Sequence, residues 1–232
     1  MKTIGLIGGM SWESTALYYR ILNEEVKLAL GGLHSARVVL YSVDFDEIEK
    51  LQSAGQWDKA GLLLAQAAQA LSRAGADFLV LATNTMHKVA PQIEQAVTIP
   101  LLHIADATAQ RIHEQGLKKV GLLATRFTME EAFYRGRLTD KWALEVITPE
   151  QNDRDFVHQV IYQELCQGVI NSESRARFCE IMAMLAAQGA EGIILGCTEI
   201  TMLVTVNDAC VPLFDTTQIH AQWAVQQALK KE

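Results

Sequence analysis

The chain has 232 residues, half of them hydrophobic, a net charge of −7 and a pI near 5.4. It can bury a sizeable core, as one large domain or two small ones. The acidic balance and the lack of a basic stripe argue against nucleic acid or an anionic membrane surface as a partner. No apolar run approaches the ~18 residues of a membrane span.

The first residues, "MKTIGLIGGMSW", carry one lysine and a short apolar run that breaks at Gly8-Gly9 with no small-residue cleavage site. They read as a first strand, not a signal peptide. From there apolar runs alternate with helical patterns to the end, which predicts parallel α/β layers. Strands are expected near Ile4–Ile7, Arg37–Val43, Phe78–Leu81 and Leu101–His103. A second set is expected near Val120–Leu123, Leu144–Ile147, Gly192–Leu195 and Val211–Phe214. Trp57–Ala74 is predicted helical, since Leu62, Leu63, Ala67, Ala70 and Leu71 recur at three- and four-residue steps. Phe156, Val157, Val160, Ile161 and Leu165 mark another helix, Phe178–Leu185 a third and Thr216–Leu229 the last.

Two stretches read as copies of each other. "GADFLVLATNTMH" runs from Gly75 and "GAEGIILGCTEIT" from Gly189, an offset of 114 that sets Thr83 against Cys197. "IGLIGGMS" resembles "VGLLATRF", with Gly5 against Gly121, and "IPLLHIADAT" resembles "VPLFDTTQIH", with Pro100 against Pro212. Three matches in order at nearly constant offsets predict a duplication of roughly a hundred residues. The expected domains are 1–105 and 106–215, with the helix 216–232 returning to the first. No Pro/Gly/Ser linker separates the two halves.

Polar residues that end buried parallel strands sit where open α/β sheets bind ligands. In "GLIGGMSWEST", Gly8 and Gly9 allow close backbone approach, and Ser11 and Ser14 are candidate N-caps whose helix start offers amides to an anion. A tight turn with a capped helix explains that stretch equally well. Capping also accounts for Asn84, Thr85, Thr198 and Glu199, although the duplicated setting favours ligand binding. Cys197 ends a strand before a helix start, an environment that lowers a thiol pKa, and this outweighs its reading as a small buried hydrophobe. Cys166, Cys179 and Cys210 read as structural, and with no CxxC or histidine spacing neither a disulfide framework nor a metal site is expected. A reducing cytoplasm is the default. His87 reads as a satisfied polar residue, Arg126 and Arg135 as surface charges that could face a substrate carboxylate, and Asp44, Asp46, Glu47 and Glu49 as a solvated face.

The order "IGLIGGMSWEST", "TNTMHK", "LLATRFTM", "GCTEI" resembles the cofactor-independent aspartate/glutamate racemases over essentially the whole chain. It is most similar to the enterobacterial branch of L-aspartate/glutamate-specific or broad-specificity amino-acid racemases. The resemblance implies two similar α/β lobes related by pseudo-two-fold symmetry, with the active site between them and a cysteine from each lobe facing the substrate α-carbon. It implies no pyridoxal phosphate, no other cofactor and no metal, a small amino-acid substrate, and allows for a homodimer.

It further implies that Cys197 is the base for the L-enantiomer and that Met10, Gln52, Asn84, Thr85 and Thr198 contact substrate. Glu199 would support Cys197 or bind the amino group, and Thr125, at the repeat position of Gly9, would bind carboxylate. The chain departs from the family at the first-lobe cysteine, which is Thr83 here, a far weaker acid than a thiol. That departure leaves open a single-cysteine decarboxylase of substituted malonates, a maleate isomerase, or a binding protein that has lost catalysis.

Overall fold

The computed structural model describes residues 1–230 of the chain, which divides into two compact units. One holds Met1–Ile104 together with the stretch from His220, and the other is Ala105–Ile219. Lys231 and Glu232, the last two positions of the expected 216–232 helix, lie outside the described residues.

The first unit begins β1 (Ile4–Gly8), α1 (Trp12–Leu30), β2 (Val38–Ser42), α2 (Phe45–Ser53) and α3 (Trp57–Arg73). It continues through β3 (Phe78–Leu81), a 3₁₀ turn (Thr85–Val89), α4 (Ala90–Ala96), β4 (Leu101–Leu102) and the start of α5 (Ile104–Glu114). The sheet is parallel with order β2-β1-β3-β4. Successive side chains of a strand point to opposite faces. Ile4, Leu6, Phe78 and Val80 accordingly pack with Tyr18, Leu22 and Val26 of α1. Ile7, Leu79 and Leu81 pack on the other face with Leu64 and Leu71 of α3.

The second unit runs β5 (Lys119–Ala124), α6 (Arg126–Glu130), α7 (Ala132–Gly136), a π turn (Arg137–Lys141), β6 (Glu145–Ile147) and α8 (Gln151–Gln163). A 3₁₀ turn (Leu165–Gln167), α9 (Ser172–Ala187), β7 (Gly192–Gly196), α10 (Ile200–Leu203), a 3₁₀ turn (Val206–Asp208), β8 (Leu213–Asp215) and α11 (Thr216–Leu229) follow. Its sheet is also parallel, with order β6-β5-β7-β8. Beyond its first turn, α11 belongs to the first unit: Ala221, Ala224, Val225 and Ala228 join the α1 face of that core. Lys2 N–H donates to the Ala228 carbonyl at 2.9 Å.

The strand register repeats as the sequence does. Gly5 pairs with Leu79 in one sheet and Gly121 with Ile193 in the other, so each partner has moved along the chain as its own copy did. Leu79 pairs with Leu101, and Ile193 with Leu213, in the same way. No Cβ fits at either matched glycine. It would come within 2.8 Å of Ala76 Cβ at Gly5 and 2.7 Å of Ile193 Cδ1 at Gly121.

The acidic residue shared by "GAD" and "GAE" also has one job in both units. Asp77 Oδ2 accepts the Thr3 amide at 2.5 Å, and Glu191 Oε2 accepts the Lys118 and Lys119 amides at 2.6 and 3.0 Å. Each carboxylate ties the entry of its strand to the entry of the neighbouring one. The two amides hold the Glu191 carboxyl below its ordinary pKa.

Sequence and structure differ mainly at element ends. β2 is shorter at both ends than Arg37–Val43, β4 stops before His103, β8 starts at Leu213, and Leu165 lies in the turn after α8. Ser14 is not a cap. Ser11 is the N-cap of α1 and its side chain accepts the Ser14 amide.

Two buried features make checkable demands. Gly9 has φ +95°, and a Cβ there would lie 2.2 Å from the Val43 carbonyl oxygen. Gly75 has φ +89° with nothing within 4 Å of the same position. Gly75→Ala therefore costs about 1 kcal/mol of backbone strain, and Gly9→Ala, with overlap added, more than about 3 kcal/mol. Urea unfolding measures both, and equal losses would contradict the argument.

His220 is fully buried, donating from Nε2 to the Leu102 carbonyl at 2.8 Å and accepting the Tyr18 hydroxyl at Nδ1 at 2.9 Å. Burial lowers its pKa to about 4. The folded state then binds fewer protons than the unfolded one. Stability that is full above pH ~6.5 falls by on the order of 3 kcal/mol as pH drops toward 4. Unfolding midpoints between pH 7 and 4 should show this decline, flattened in His220→Leu.

Candidate active site

In the second unit, β7 is buried along its length and delivers Cys197 to its carboxyl end. Cys197 Sγ donates to Glu199 Oε2 at 3.0 Å, and Thr198 Oγ1 donates to the same oxygen at 2.8 Å. Glu199 is buried, and Cys197 and Thr198 are half-buried. β5 is the neighbouring strand, with Ala124 opposite Gly196, so Thr125 leaves its strand beside Cys197. Thr125 is buried, its hydroxyl 3.3 Å from that of Thr128 and its carbonyl accepting the Met129 amide at 3.0 Å.

The expected lowering of the Cys197 pKa is overturned. Burial is the largest influence and pushes the thiol well above its ordinary value. The Glu199 charge, the neighbouring Cys166 and the hydrogen bond from thiol to carboxylate push the same way, against one backbone hydrogen bond. The helix start that was to stabilise a thiolate belongs to α10, a single turn of four residues. A macrodipole that short cannot offset an adjacent buried carboxylate. At rest Cys197 is a thiol donating to Glu199.

In the first unit, β3 is equally buried and ends just before Thr83. Thr83 is half-buried, while Asn84 and Thr85 are buried in the turn that follows. Met10 is buried after β1, the strand beside β3, and shares a hydrophobic cluster with Ile48 and Met86. Gln52 of α2 is buried, with Nε2 donating to Met86 Sδ at 2.8 Å. Its Oε1 has no hydrogen-bond partner among the described residues. Thioether sulfur is a weak acceptor. The Gln52 amide is therefore poorly satisfied, a condition that costs stability unless a polar ligand answers it.

Each unit thus collects its expected residues at the carboxyl ends of its two central strands. Met10, Gln52, Thr83, Asn84 and Thr85 stand in one, and Thr125, Cys197, Thr198 and Glu199 in the other. Side-chain capping does not explain Asn84 or Glu199, which make no such bond at their helix starts. The amide of Gly9, where close backbone approach by a ligand was expected, is taken by Thr15 Oγ1 at 2.8 Å. Thr15 and Met86 were missed, as was Cys166, whose place beside Cys197 no spacing could show. Arg126 is exposed, and Arg135 donates to the Met129 carbonyl at 3.4 Å. Among the described residues no group of His, Cys, Asp or Glu could hold a metal, and no helix is long and apolar enough to cross a membrane.

A family model for Asp/Glu/hydantoin racemases matches residues 7–224. The chain belongs to that family. It is similar over 97% of its length to 98% of the broad specificity amino-acid racemase RacX of Bacillus subtilis, at 23% identity. Among solved structures, a protein from Yersinia pestis described only as a candidate Asp/Glu racemase is 59% identical with a TM-score of 0.95. That likeness covers 99% of this chain and 100% of the other. An aspartate racemase homologue from Pyrococcus horikoshii is 34% identical with a TM-score of 0.85, over 99% and 100% of the two chains. The chain is an enzyme of the amino-acid racemase class, and its two four-stranded parallel sheets are the racemase fold.

The raised thiol pKa has a direct test. Glu199→Gln removes both the charge and the strong acceptor, so the Cys197 pKa must fall toward the ordinary thiol value. Alkylation of the Cys197 peptide, followed by mass spectrometry across pH, should show half-maximal reactivity moving to lower pH. An unchanged or upward-shifted profile would show that burial alone sets the pKa.

Proposed function

We propose that this racemase acts on L-aspartate or L-glutamate, with Cys197 removing the α-proton from the L-enantiomer. The hydrogen bond from Cys197 Sγ to Glu199 Oε2 carries the proposal, because it gives the buried thiol a place to send its proton. When substrate binds, Glu199 accepts that proton and becomes neutral. The thiolate formed then takes the α-proton, restoring the thiol. The substrate carbanion gains a proton on its other face through Thr83, whose hydroxyl takes one from water as it gives one up, and Glu199 returns its proton to the hydroxide left behind, which restores the resting site. A free threonine alkoxide is inaccessible at neutral pH, so Thr83 relays a proton here and does not serve as the base.

Recognition is assigned by the same logic. The poorly satisfied Gln52 carbonyl oxygen is suited to the substrate ammonium, a donor that answers a buried acceptor. Asn84, Thr85, Thr125 and Thr198 are assigned to the carboxylates and Met10 to the apolar wall. No cofactor takes part in this scheme. A reactive thiol favours a reducing compartment, so we place the enzyme in the cytoplasm. A homodimer belongs to the proposal, and sedimentation velocity at the single-chain mass of 25.7 kDa would remove it.

The enantiomers have equal free energy in water, so kcat/KM must be equal in the two directions whatever the two groups are. Asymmetry between Cys197 and Thr83 can appear only in kcat and KM separately, or as exchange that outruns inversion. Solvent deuterium exchange at the α-carbon, followed by NMR with each enantiomer of aspartate and glutamate, is the test. Exchange from the L-enantiomer that vanishes in Cys197→Ser is expected. No exchange from any of the four, in folded protein, would sink the proposal.

The protonated resting thiol also suits a single-cysteine decarboxylase, which must deliver a proton to a carbanion. Carbon dioxide release from a substituted malonate, without exchange from any amino acid, would favour that reaction.

A further inference from the structure

Thr83 is gripped through its backbone by a side chain with no role in the reaction just described. His87 Nδ1 lies 2.7 Å from the Thr83 carbonyl oxygen, and the Ile104 amide donates to His87 Nε2 at 3.2 Å. A backbone N–H can only donate, so Nε2 is bare. A carbonyl can only accept, so Nδ1 carries the proton. The two bonds therefore fix a neutral imidazole in one tautomer. The ring is 1% exposed and lies against His103, with centroids 4.4 Å apart. His220 donates to the carbonyl of Leu102, two residues before Ile104, so the turn into α5 is held from both sides. Through one ring, the exit of β3 is tied to the start of α5.

The second unit builds the same place without a histidine. Asp215, at the repeat position of His103, starts α11 by accepting the Thr217 and Gln218 amides at 2.9 and 3.1 Å. Thr201, at the repeat position of His87, donates to the Thr198 carbonyl at 2.8 Å. The Cys197 carbonyl accepts the Ile200 amide at 3.2 Å. The imidazole brace is thus found behind the hydroxyl and not behind the thiol. Cys197 has Glu199 beside it to take up and return its proton. A hydroxyl has no such advantage and depends on placement for whatever transfer it performs.

We infer that His87 is a positioning residue for Thr83, its neutral Nδ1–H holding the Thr83 carbonyl so that the hydroxyl meets the substrate face opposite Cys197. The inference rests on the assignment of Thr83 to that face, and the test separates the two. Deuterium incorporation into L-substrate and formation of D-product are measured together in wild type, Thr83→Val, His87→Phe and His87→Asn. Thr83→Val should keep exchange into L while losing on the order of 10²-fold in D formation. His87→Phe, which cannot hold the carbonyl, should lower the ratio of D formation to exchange about tenfold. His87→Asn, whose amide can donate as Nδ1–H does, should recover most of it.

Nitrogen-15 spectra of the wild-type imidazole should show a protonated Nδ1 and a bare Nε2 at neutral pH. If Thr83→Val leaves the ratio unchanged, the role of Thr83 fails and this inference fails with it. If Thr83→Val changes the ratio but His87→Phe does not, or lowers exchange and D formation by one common factor, only the inference about His87 fails. Should His87→Phe not fold, a ratio in His87→Asn as low as in Thr83→Val, or a protonated Nε2 in the spectra, overturns it equally.

Discussion

A parallel strand covered by helices on both faces has no room for polar side chains except at its ends. Both sheets obey this: β1, β3, β5 and β7 are buried along nearly their whole length, and the groups that can do chemistry crowd just past them. The ends of neighbouring strands are also fixed side by side, because parallel pairing leaves no freedom in register once both faces are apolar. Ile7 opposite Leu81 and Ala124 opposite Gly196 are therefore what set Met10 near Thr83, and Thr125 near Cys197. The backbone ladder does much of the positioning.

What the ladder cannot set is protonation, and there the two units diverge. Beside Cys197 stands a buried carboxylate that keeps the thiol protonated until something displaces the balance. Beside Thr83 stands the His87 imidazole, which its two hydrogen bonds leave neutral. A duplicated scaffold has thus come to hold an acidic dyad in one copy and an uncharged brace in the other. The same backbone serves both because the differences lie in side chains beyond the strand ends, which the sheet does not constrain.

Much of this was legible in the sequence, for a physical reason. Continuous apolar runs mark buried parallel strands, and three such anchors at steady offsets revealed the duplication that the register then repeated. The line of helix α3 was readable from its three- and four-residue apolar steps. Strand ends were less certain, since β8 begins two residues after its apolar run does. The site residues could be named because they follow those runs. Their electrostatics could not: whether a strand-end cysteine is thiol or thiolate depends on a carboxylate rotamer and on burial. Thr15 capturing the Gly9 amide, and Met86 facing Gln52, are contacts across turns that periodicity does not report.

The return of α11 has a consequence for the order in which the protein can be finished. The Ala105–Ile219 unit is one continuous stretch, whereas the core behind β1 and β3 lacks Ala221, Ala224, Val225 and Ala228 until α11 is made. Domains fold as units during synthesis once their residues are available. The half whose strands leave the ribosome first is therefore the half completed last. Until then the α1 side of its sheet lacks one of its two helices, and newly made chain leaves an apolar face open that the finished enzyme never exposes.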